Sequence, residues 1–106
     1  MKTLKQHLKE QNYIPMHMPG HKRNKEFSIL DGYDIDMTEI SGCDDLYHAA
    51  SVLRESMSRT AELYRCRRSF YLVNGSTCGI LAGIHAVCSK NSKLILARNC
   101  HKSIYH

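Results

Sequence analysis

The spacing of apolar residues along the chain predicts three helices. Residues 3–12 place two leucines on one face and begin with Thr3, a residue type that favours the start of a helix. Residues 51–65 carry apolar side chains at helical intervals, with charged side chains between them. Residues 77–89 are apolar on most faces, so we expect this third helix to be buried.

Two short segments predict β-strands. Residues 69–73 combine aromatic and β-branched side chains just before the third helix, and residues 94–97 follow that helix after a polar turn. A strand–helix–strand unit of this length predicts a parallel pair of strands with a crossover helix. The predicted class is therefore α/β, with an N-terminal helix and loop followed by helix, strand, helix and strand.

The segment between the first two helices is irregular in sequence. Residues 13–33 hold both prolines, Pro15 and Pro19, together with glycines and charges, which excludes a regular helix. Residues 34–40 alternate polar and apolar side chains and predict a short extended piece. Residues 41–48 predict a loop that contains two acids.

Composition excludes several classes of protein. The 106 residues suffice for one ordinary domain, and 42% hydrophobic with 24% charged residues is typical of a soluble globular protein. No apolar run approaches the roughly 20 residues that span a bilayer, and the N-terminus has no signal-peptide pattern. Five cysteines without a CxxC pair indicate reduced thiols. We therefore expect a cytoplasmic protein that does not insert into a membrane.

The net charge of +5 is compatible with more than one kind of partner. The basic residues are spread along the chain without interleaved aromatic residues, so a solvated surface is favoured over nucleic-acid binding. An anionic ligand also suits this balance of charge.

The turn from residue 74 to residue 77, Asn-Gly-Ser-Thr, leads directly from the first predicted strand into the third helix. A helix N-terminus offers free N–H groups and a partial positive charge, and Gly75 allows a ligand to approach the backbone. With the hydroxyls of Ser76 and Thr77, this turn predicts a phosphate site. A plain turn capped by Ser76 explains these four residues equally well.

A histidine follows the second predicted strand. If the two strands are parallel, His101 emerges at the same sheet edge as the turn at residues 74–77. An imidazole there can stack on a flat ring or move protons. A capping or surface histidine is the alternative, and for an isolated histidine it is the usual one.

Four motifs, PMHMPGHKR, DDLYH, FYLVNGSTCGI and RNCHKSIYH, occur in this order along nearly the whole chain. In these motifs the chain resembles the Orn/Lys/Arg decarboxylase family, pyridoxal-phosphate enzymes of the aspartate-aminotransferase fold (fold type I). The resemblance implies that residues 1–45 form an N-terminal helix and extended segment. It implies that residues 46–106 are the start of the cofactor-binding major domain.

The resemblance also implies the roles of several residues. The glycine–serine–threonine turn and the adjacent cysteine would hold the phosphate of pyridoxal 5′-phosphate: Gly75, Ser76, Thr77 and Cys78. His101 would be the catalytic residue that stacks on the pyridine ring. Ser103 would lie near the phosphate. No metal site is implied.

The implied activity is that of a lyase that decarboxylates lysine, ornithine or arginine to the corresponding amine, with the cofactor as electron sink. The implied partners are a basic amino-acid substrate and further copies of the chain, as a homodimer or larger homo-oligomer, without nucleic acid or membrane.

Two parts of the implied machinery have no counterpart in residues 1–106. The family's Schiff-base lysine and the aspartate that pairs with the ring nitrogen lie downstream of these motifs. Lys102 and Lys22 follow histidines, as the Schiff-base lysine does, but both belong to other motifs. Residues 49–51 and Cys66 also depart from the family pattern. We therefore expect an N-terminal fragment that is inactive alone.

Three alternatives stay open at this point. Another fold-type I enzyme, such as an aminotransferase or a cysteine-desulfurase-like lyase, has the same cofactor. A non-catalytic remnant or binding module would act through its basic surface. A metal site at His17 and His21 is disfavoured because Pro19 and Gly20 prevent the helix that would align them.

Overall fold

Three α-helices form close to where the hydrophobic pattern predicts them. They are α1 (Leu4–Lys9), α2 (Val52–Leu63) and α3 (Gly75–Val87). Short 3₁₀ turns occur at Lys25–Phe27, Tyr33–Ile35 and Lys102–Ile104. The helix predictions are confirmed, although α3 begins two residues earlier than predicted.

The computed structural model describes residues 2–27 and 30–105, and the parts of the predicted segments at Met1, Ser28, Ile29 and His106 lie outside them. The chain divides into two units, Met1–Phe70 and Tyr71–His106. This division does not test the predicted boundary at residue 45, which stays a prediction.

Helix α1 begins with a reciprocal cap. The Thr3 hydroxyl accepts a hydrogen bond from the Gln6 amide at 3.2 Å, and the Gln6 side chain accepts one from the Thr3 amide at 2.8 Å. This capping box satisfies two of the backbone donors that a helix start leaves free. In the first unit α1 packs against α2 and against the Tyr33–Ile35 turn.

The carboxylate of Asp44 caps the start of helix α2. Its oxygens accept hydrogen bonds from the backbone amides of Ala50 and Ser51, each at 2.9 Å, and Leu53 at 3.0 Å. The Asp45 amide, at 3.1 Å, is a fourth donor. These bonds, led by that from Ala50, hold the pKa of the Asp44 carboxyl well below its usual range.

The irregular segment of the first unit is held by side-chain bonds to backbone carbonyls. Arg23 donates to the carbonyls of Gln11 and Asp34, both at 2.8 Å, and His7 Nε2 donates to the Gly42 carbonyl at 2.7 Å. The predicted extended piece at residues 34–40 begins inside a 3₁₀ turn, so that prediction is wrong at its start.

The two predicted strands are wrong for this structure. Residues 69–73 and 94–97 contain no strand, and no strand occurs anywhere in the described ranges. A strand exists only through backbone bonds to a neighbouring strand, and side-chain pattern does not supply that neighbour. Phe70 and Ile95 are 71% and 98% exposed, so these segments also lack the packing that favours a sheet.

The expected burial of α3 is also wrong, because none of its residues is buried. Buried side chains are few among the described residues: Cys43 and Ala61 in the first unit and Ser103 in the second. No helix in the described part of the chain is long and apolar enough to cross a membrane.

Candidate cofactor site

The start of α3 leaves its backbone donors free of side-chain partners among the described residues. The residue before the helix, Asn74, makes no capping hydrogen bond with its side chain, and the first turn contains no acid. The amides of Gly75, Ser76 and Thr77 are the ones that a helix of this register cannot satisfy internally. The predicted cap at Ser76 is therefore wrong, since Ser76 lies inside the first turn.

Gly75 permits this sharp entry into the helix. Its φ of +73° lies in the left-handed region that side chains with a β-carbon rarely adopt. A β-carbon built there would meet no atom within 4 Å, so the position is open space. The backbone at the turn is therefore accessible to a ligand.

The side chains of the turn are exposed along with its amides. Ser76, Thr77 and Cys78 are all exposed and lie in the first turn of α3. Free N–H groups, the positive end of the helix and two hydroxyls favour an anionic oxygen ligand such as a phosphate. The donor set therefore fits the cofactor phosphate that the sequence predicts.

The loop that contains His101 is closed by local hydrogen bonds. The Cys100 amide donates to the Ala97 carbonyl at 3.1 Å, and the Tyr105 hydroxyl donates to the Arg98 carbonyl at 3.4 Å. A hydrogen bond with the Cys100 thiol raises the pKa of the Tyr105 hydroxyl. These contacts fix both ends of the loop around His101.

His101 is bonded to Ser103, two residues later. Its Nδ1 lies 2.9 Å from the Ser103 hydroxyl and 3.2 Å from the Ser103 amide nitrogen. Ser103 is only 1% exposed, whereas His101 is exposed. The alternative of a capping histidine is therefore confirmed, since His101 caps the Lys102–Ile104 turn. Sequence reasoning missed Ser103 as its partner, although a serine two residues after the histidine was the available signal.

One packing contact joins the elements that carry the two predicted parts of the site. Helix α3 packs against the Lys102–Ile104 turn within the second unit. Among the described residues, no hydrogen bond joins His101 to the turn at Gly75–Thr77. The roles of these residues toward a cofactor stay predictions.

A second contact missed from the sequence lies on α3. A β-carbon at Gly79 would overlap a terminal methyl of Leu72. Gly79 therefore lets Leu72 pack directly on the helix backbone. The signal was a glycine inside an apolar helix, which often indicates close approach.

The histidines considered for a metal have other partners. His21 Nε2 lies 3.2 Å from an Asp36 carboxylate oxygen, and its Nδ1 accepts from the Arg23 amide at 3.0 Å. His17 Nδ1 contacts the Met18 carbonyl. Within the described residues no group of three or more histidine, cysteine or acidic side chains could hold a metal ion.

The first unit carries an open groove with a basic wall. Arginines and aromatic side chains share its lining with small and apolar residues, and no acid lines it: Arg54, Arg67, Arg68, Tyr47 and Phe70. With three arginines in its lining, this groove is a candidate site for an anionic partner.

Comparisons with known proteins agree on one family. Residues 1–106 match the family described as Orn/Lys/Arg decarboxylase, major domain. The uncharacterized protein YaaO of Bacillus subtilis (strain 168) is 40% identical over 111 residues, covering 99% of this chain and 23% of that protein. The arginine decarboxylase of the same organism is 31% identical over 108 residues, covering 95% of this chain and 22% of that protein.

The arginine decarboxylase of Bacillus anthracis is 31% identical over 102 residues, covering 90% of this chain and 21% of that protein. The chain thus spans about a fifth of the length of the curated relatives it matches. No solved structure gives a significant match.

Proposed function

Because the chain belongs to the Orn/Lys/Arg decarboxylase family, we propose that it forms the start of the cofactor-binding major domain of a pyridoxal-phosphate-dependent decarboxylase. The family implies the fold type I large domain. The proposed substrate is a basic amino acid, lysine, ornithine or arginine, which loses its carboxyl group as carbon dioxide.

One observation carries the proposal most directly. The start of α3 combines a left-handed glycine, an uncapped set of amides and exposed hydroxyls with a first turn that lacks acids. An acid there would repel a phosphate, and a capping side chain would compete for the same amides. This helix start suits an external anion.

We assign the cofactor phosphate to Gly75, Ser76 and Thr77, with Cys78 beside it. The three amides and two hydroxyls would bind its oxygens and so fix the position of the ring. When bound, pyridoxal phosphate supplies an electron sink for the charge left when carbon dioxide departs. Ser103 is proposed to lie near the phosphate, and its bonds to His101 point to a second role.

His101 is proposed as the catalytic residue that contacts the ring. Its flat imidazole is exposed and is held at Nδ1, so one edge of the ring is fixed. Stacking of a flat side chain would restrict the ring to one orientation and exclude water from that face.

The complete reaction needs more than these 106 residues. The lysine that carries the cofactor and the aspartate that pairs with the ring nitrogen have no assigned position here, and the relatives are four to five times longer. We propose that residues 1–106 alone do not decarboxylate. We further propose a cytoplasmic homodimer or larger homo-oligomer that binds neither nucleic acid nor membrane.

The cofactor assignment is tested with pyridoxamine 5′-phosphate, which has no aldehyde to react with surface lysines. Backbone amide signals of Gly75, Ser76 and Thr77 should shift in nuclear magnetic resonance (NMR) titrations with it. Pyridoxamine, which lacks the phosphate, should bind at least about tenfold more weakly, because hydrogen bonds to a charged group are lost.

Two matched double variants test where pyridoxamine phosphate binds. Ser76→Ala with Thr77→Ala should weaken pyridoxamine phosphate binding by about tenfold, since two hydroxyl donors are removed. Ser89→Ala with Ser92→Ala removes two hydroxyls beyond the other end of α3 and should leave it unchanged. Equal binding of the two ligands, or signals that shift elsewhere only, would contradict the assignment.

The proposed decarboxylase activity is tested by sequencing the gene and assaying the protein that it encodes. Its reading frame past His106 should continue and supply a lysine and an aspartate for the cofactor. The encoded protein should release carbon dioxide from lysine, ornithine or arginine. A stop codon directly after His106 would contradict decarboxylation by this gene product.

The basic groove of the first unit favours a second candidate, a non-catalytic module that binds polyanions. Random nucleic acid should then bind with an affinity that falls steeply with salt. Arg67→Ala with Arg68→Ala should reduce that binding, whereas Lys90→Ala with Lys93→Ala should not. Absence of salt-sensitive binding would remove this candidate.

A further inference from the structure

We propose that Ser103 is a positioning residue that fixes the tautomer and orientation of the His101 ring, so that Nδ1 accepts and Nε2 carries the proton. The part that concerns cofactor chemistry rests on the proposed function. The hydrogen-bond geometry stands without it.

Two donors of Ser103 converge on one nitrogen. The Ser103 amide nitrogen lies 3.2 Å from Nδ1 of His101, and the Ser103 hydroxyl oxygen lies 2.9 Å from it. A backbone N–H can only donate, so Nδ1 must offer its lone pair. The neutral ring then carries its proton on Nε2.

The local backbone supports this arrangement. His101 is extended, with φ −65° and ψ 143°, and precedes the Lys102–Ile104 turn, where its side chain acts as the cap. The Ile104 amide closes the turn by donating to the His101 carbonyl at 3.0 Å. The same turn therefore fixes both the backbone and the ring of His101.

The burial of Ser103 makes the bond to His101 important. At 1% exposure it is the most buried of the described residues, and its hydroxyl has little access to water. A buried hydroxyl without a partner is destabilising, so its donor is expected to stay on Nδ1. Rotation of the His101 ring would break both bonds at once.

The consequence for the site concerns the other nitrogen. Nε2 of His101 makes no hydrogen bond to the residues that the structure describes, and the side chain is exposed. In the fixed tautomer Nε2 is a donor and has no lone pair for a proton. His101 would therefore donate to an acceptor oxygen of the bound ligand and would not act as a general base.

The test is ¹⁵N NMR of the histidine ring nitrogens in the 106-residue chain, above pH 8, where an ordinary histidine is neutral. His101→Gln assigns the signals. We expect the His101 proton on Nε2, with Nδ1 showing the shift of an acceptor. A His101 proton on Nδ1 in the unmodified chain would by itself overturn the proposal.

Variants separate positioning from mere stability. Ser103→Ala should raise the ratio of the Nδ1–H to the Nε2–H tautomer about fivefold, the factor of one hydrogen bond. Ser103→Thr keeps the hydroxyl and should restore the original ratio. The ring of His85, on α3, serves as an internal reference that should not change. An unchanged ratio in Ser103→Ala would overturn the proposal.

A parallel titration with pyridoxamine phosphate distinguishes this proposal from the proposed function. If the tautomer responds to Ser103→Ala while the ligand fails to bind, the positioning role is supported and the cofactor assignment fails. If the ligand binds and the tautomer does not respond, the positioning role fails while the cofactor assignment is kept.

Discussion

The free backbone amides at the starts of α2 and α3 have opposite surroundings. At α2 the carboxylate of Asp44 accepts from the amides that lead into the helix. At α3 the side chain of Asn74 makes no cap and no acid lies in the first turn. One helix start is completed by its own chain, and the other is left open to a ligand.

The difference shows how a helix start capped by its own chain differs from one that is proposed to bind an anion. Both starts have the same unsatisfied donors and the same dipole. At α2 a negative charge already occupies the position that an anion would take. At α3 that position is open, the entry residue is a glycine and the neighbouring side chains are hydroxyls. Only the second arrangement favours a phosphate.

The largest expected effect comes from removing the acid at α2. Asp44→Ala takes the acceptor away from four backbone amides and should destabilise the helix start by about 2 kcal/mol. Hydrogen exchange of the Leu53 amide should accelerate accordingly. Asp45→Ala, which removes the adjacent acid whose carboxylate bonds to Tyr47 and His48, is the control. Equal protection of Leu53 in both variants would show that Asp44 does not complete the helix.

The same contact predicts a pH dependence. The pKa of Asp44 is lowered in the folded chain, so the unfolded chain binds more protons between the folded value and the ordinary value near 4. The contribution of Asp44 is therefore constant above about pH 4 and is lost as the pH falls below it. Leu53 exchange, corrected for its intrinsic rate, should report this. Asp44→Asn should abolish the dependence.

A smaller effect should come from giving α3 the acid it lacks. Asn74→Asp places a carboxylate at the helix start and should stabilise α3 by about 1 kcal/mol. It should also weaken pyridoxamine phosphate binding by charge repulsion. Asn91→Asp adds the same charge beyond the other end of α3 and should do neither. Tighter ligand binding in Asn74→Asp would contradict the view of α3 as an open anion site.

The smallest effect concerns Gly79. Gly79→Ala should gain up to about 1 kcal/mol of helix propensity but force Leu72 aside, so the net change should be near zero. With Leu72→Ala already present, the gain should appear in full as higher helix content by circular dichroism. Equal effects in both backgrounds would show that Leu72 does not pack on α3.

The helices could be predicted because their signals are local. Thr3 forms the expected start of α1, and the spacing of residues 51–65 predicted α2 nearly to its ends. The strands at residues 69–73 and 94–97 could not be predicted in this way, because a strand depends on a neighbour that its own sequence does not specify. The expected burial of α3 was also wrong, because burial depends on neighbouring elements that the sequence of the helix does not specify.

The elements that carry the candidate site were partly predictable. Turn chemistry identified the α3 start, and resemblance pointed to His101. The role of Asp44 could not be predicted, because it requires the chain after Asp44 to fold back so that later backbone amides reach the Asp44 carboxylate. A positive φ of 69° at Asp44 itself helps this reversal of the chain. The bond from Ser103 to His101 was hidden because it depends on the conformation of one short turn.

The exposure of Cys78 has a practical consequence. This thiol lies in the first turn of α3, beside the proposed phosphate position, and is open to solvent. A thiol-alkylating reagent should therefore label it, and an occupied turn should slow that labelling by shielding. Cys66 is also exposed but lies in the other unit, so its labelling rate can serve as an internal reference. The labelling rate of Cys78 relative to Cys66 would thus report occupancy of the proposed site.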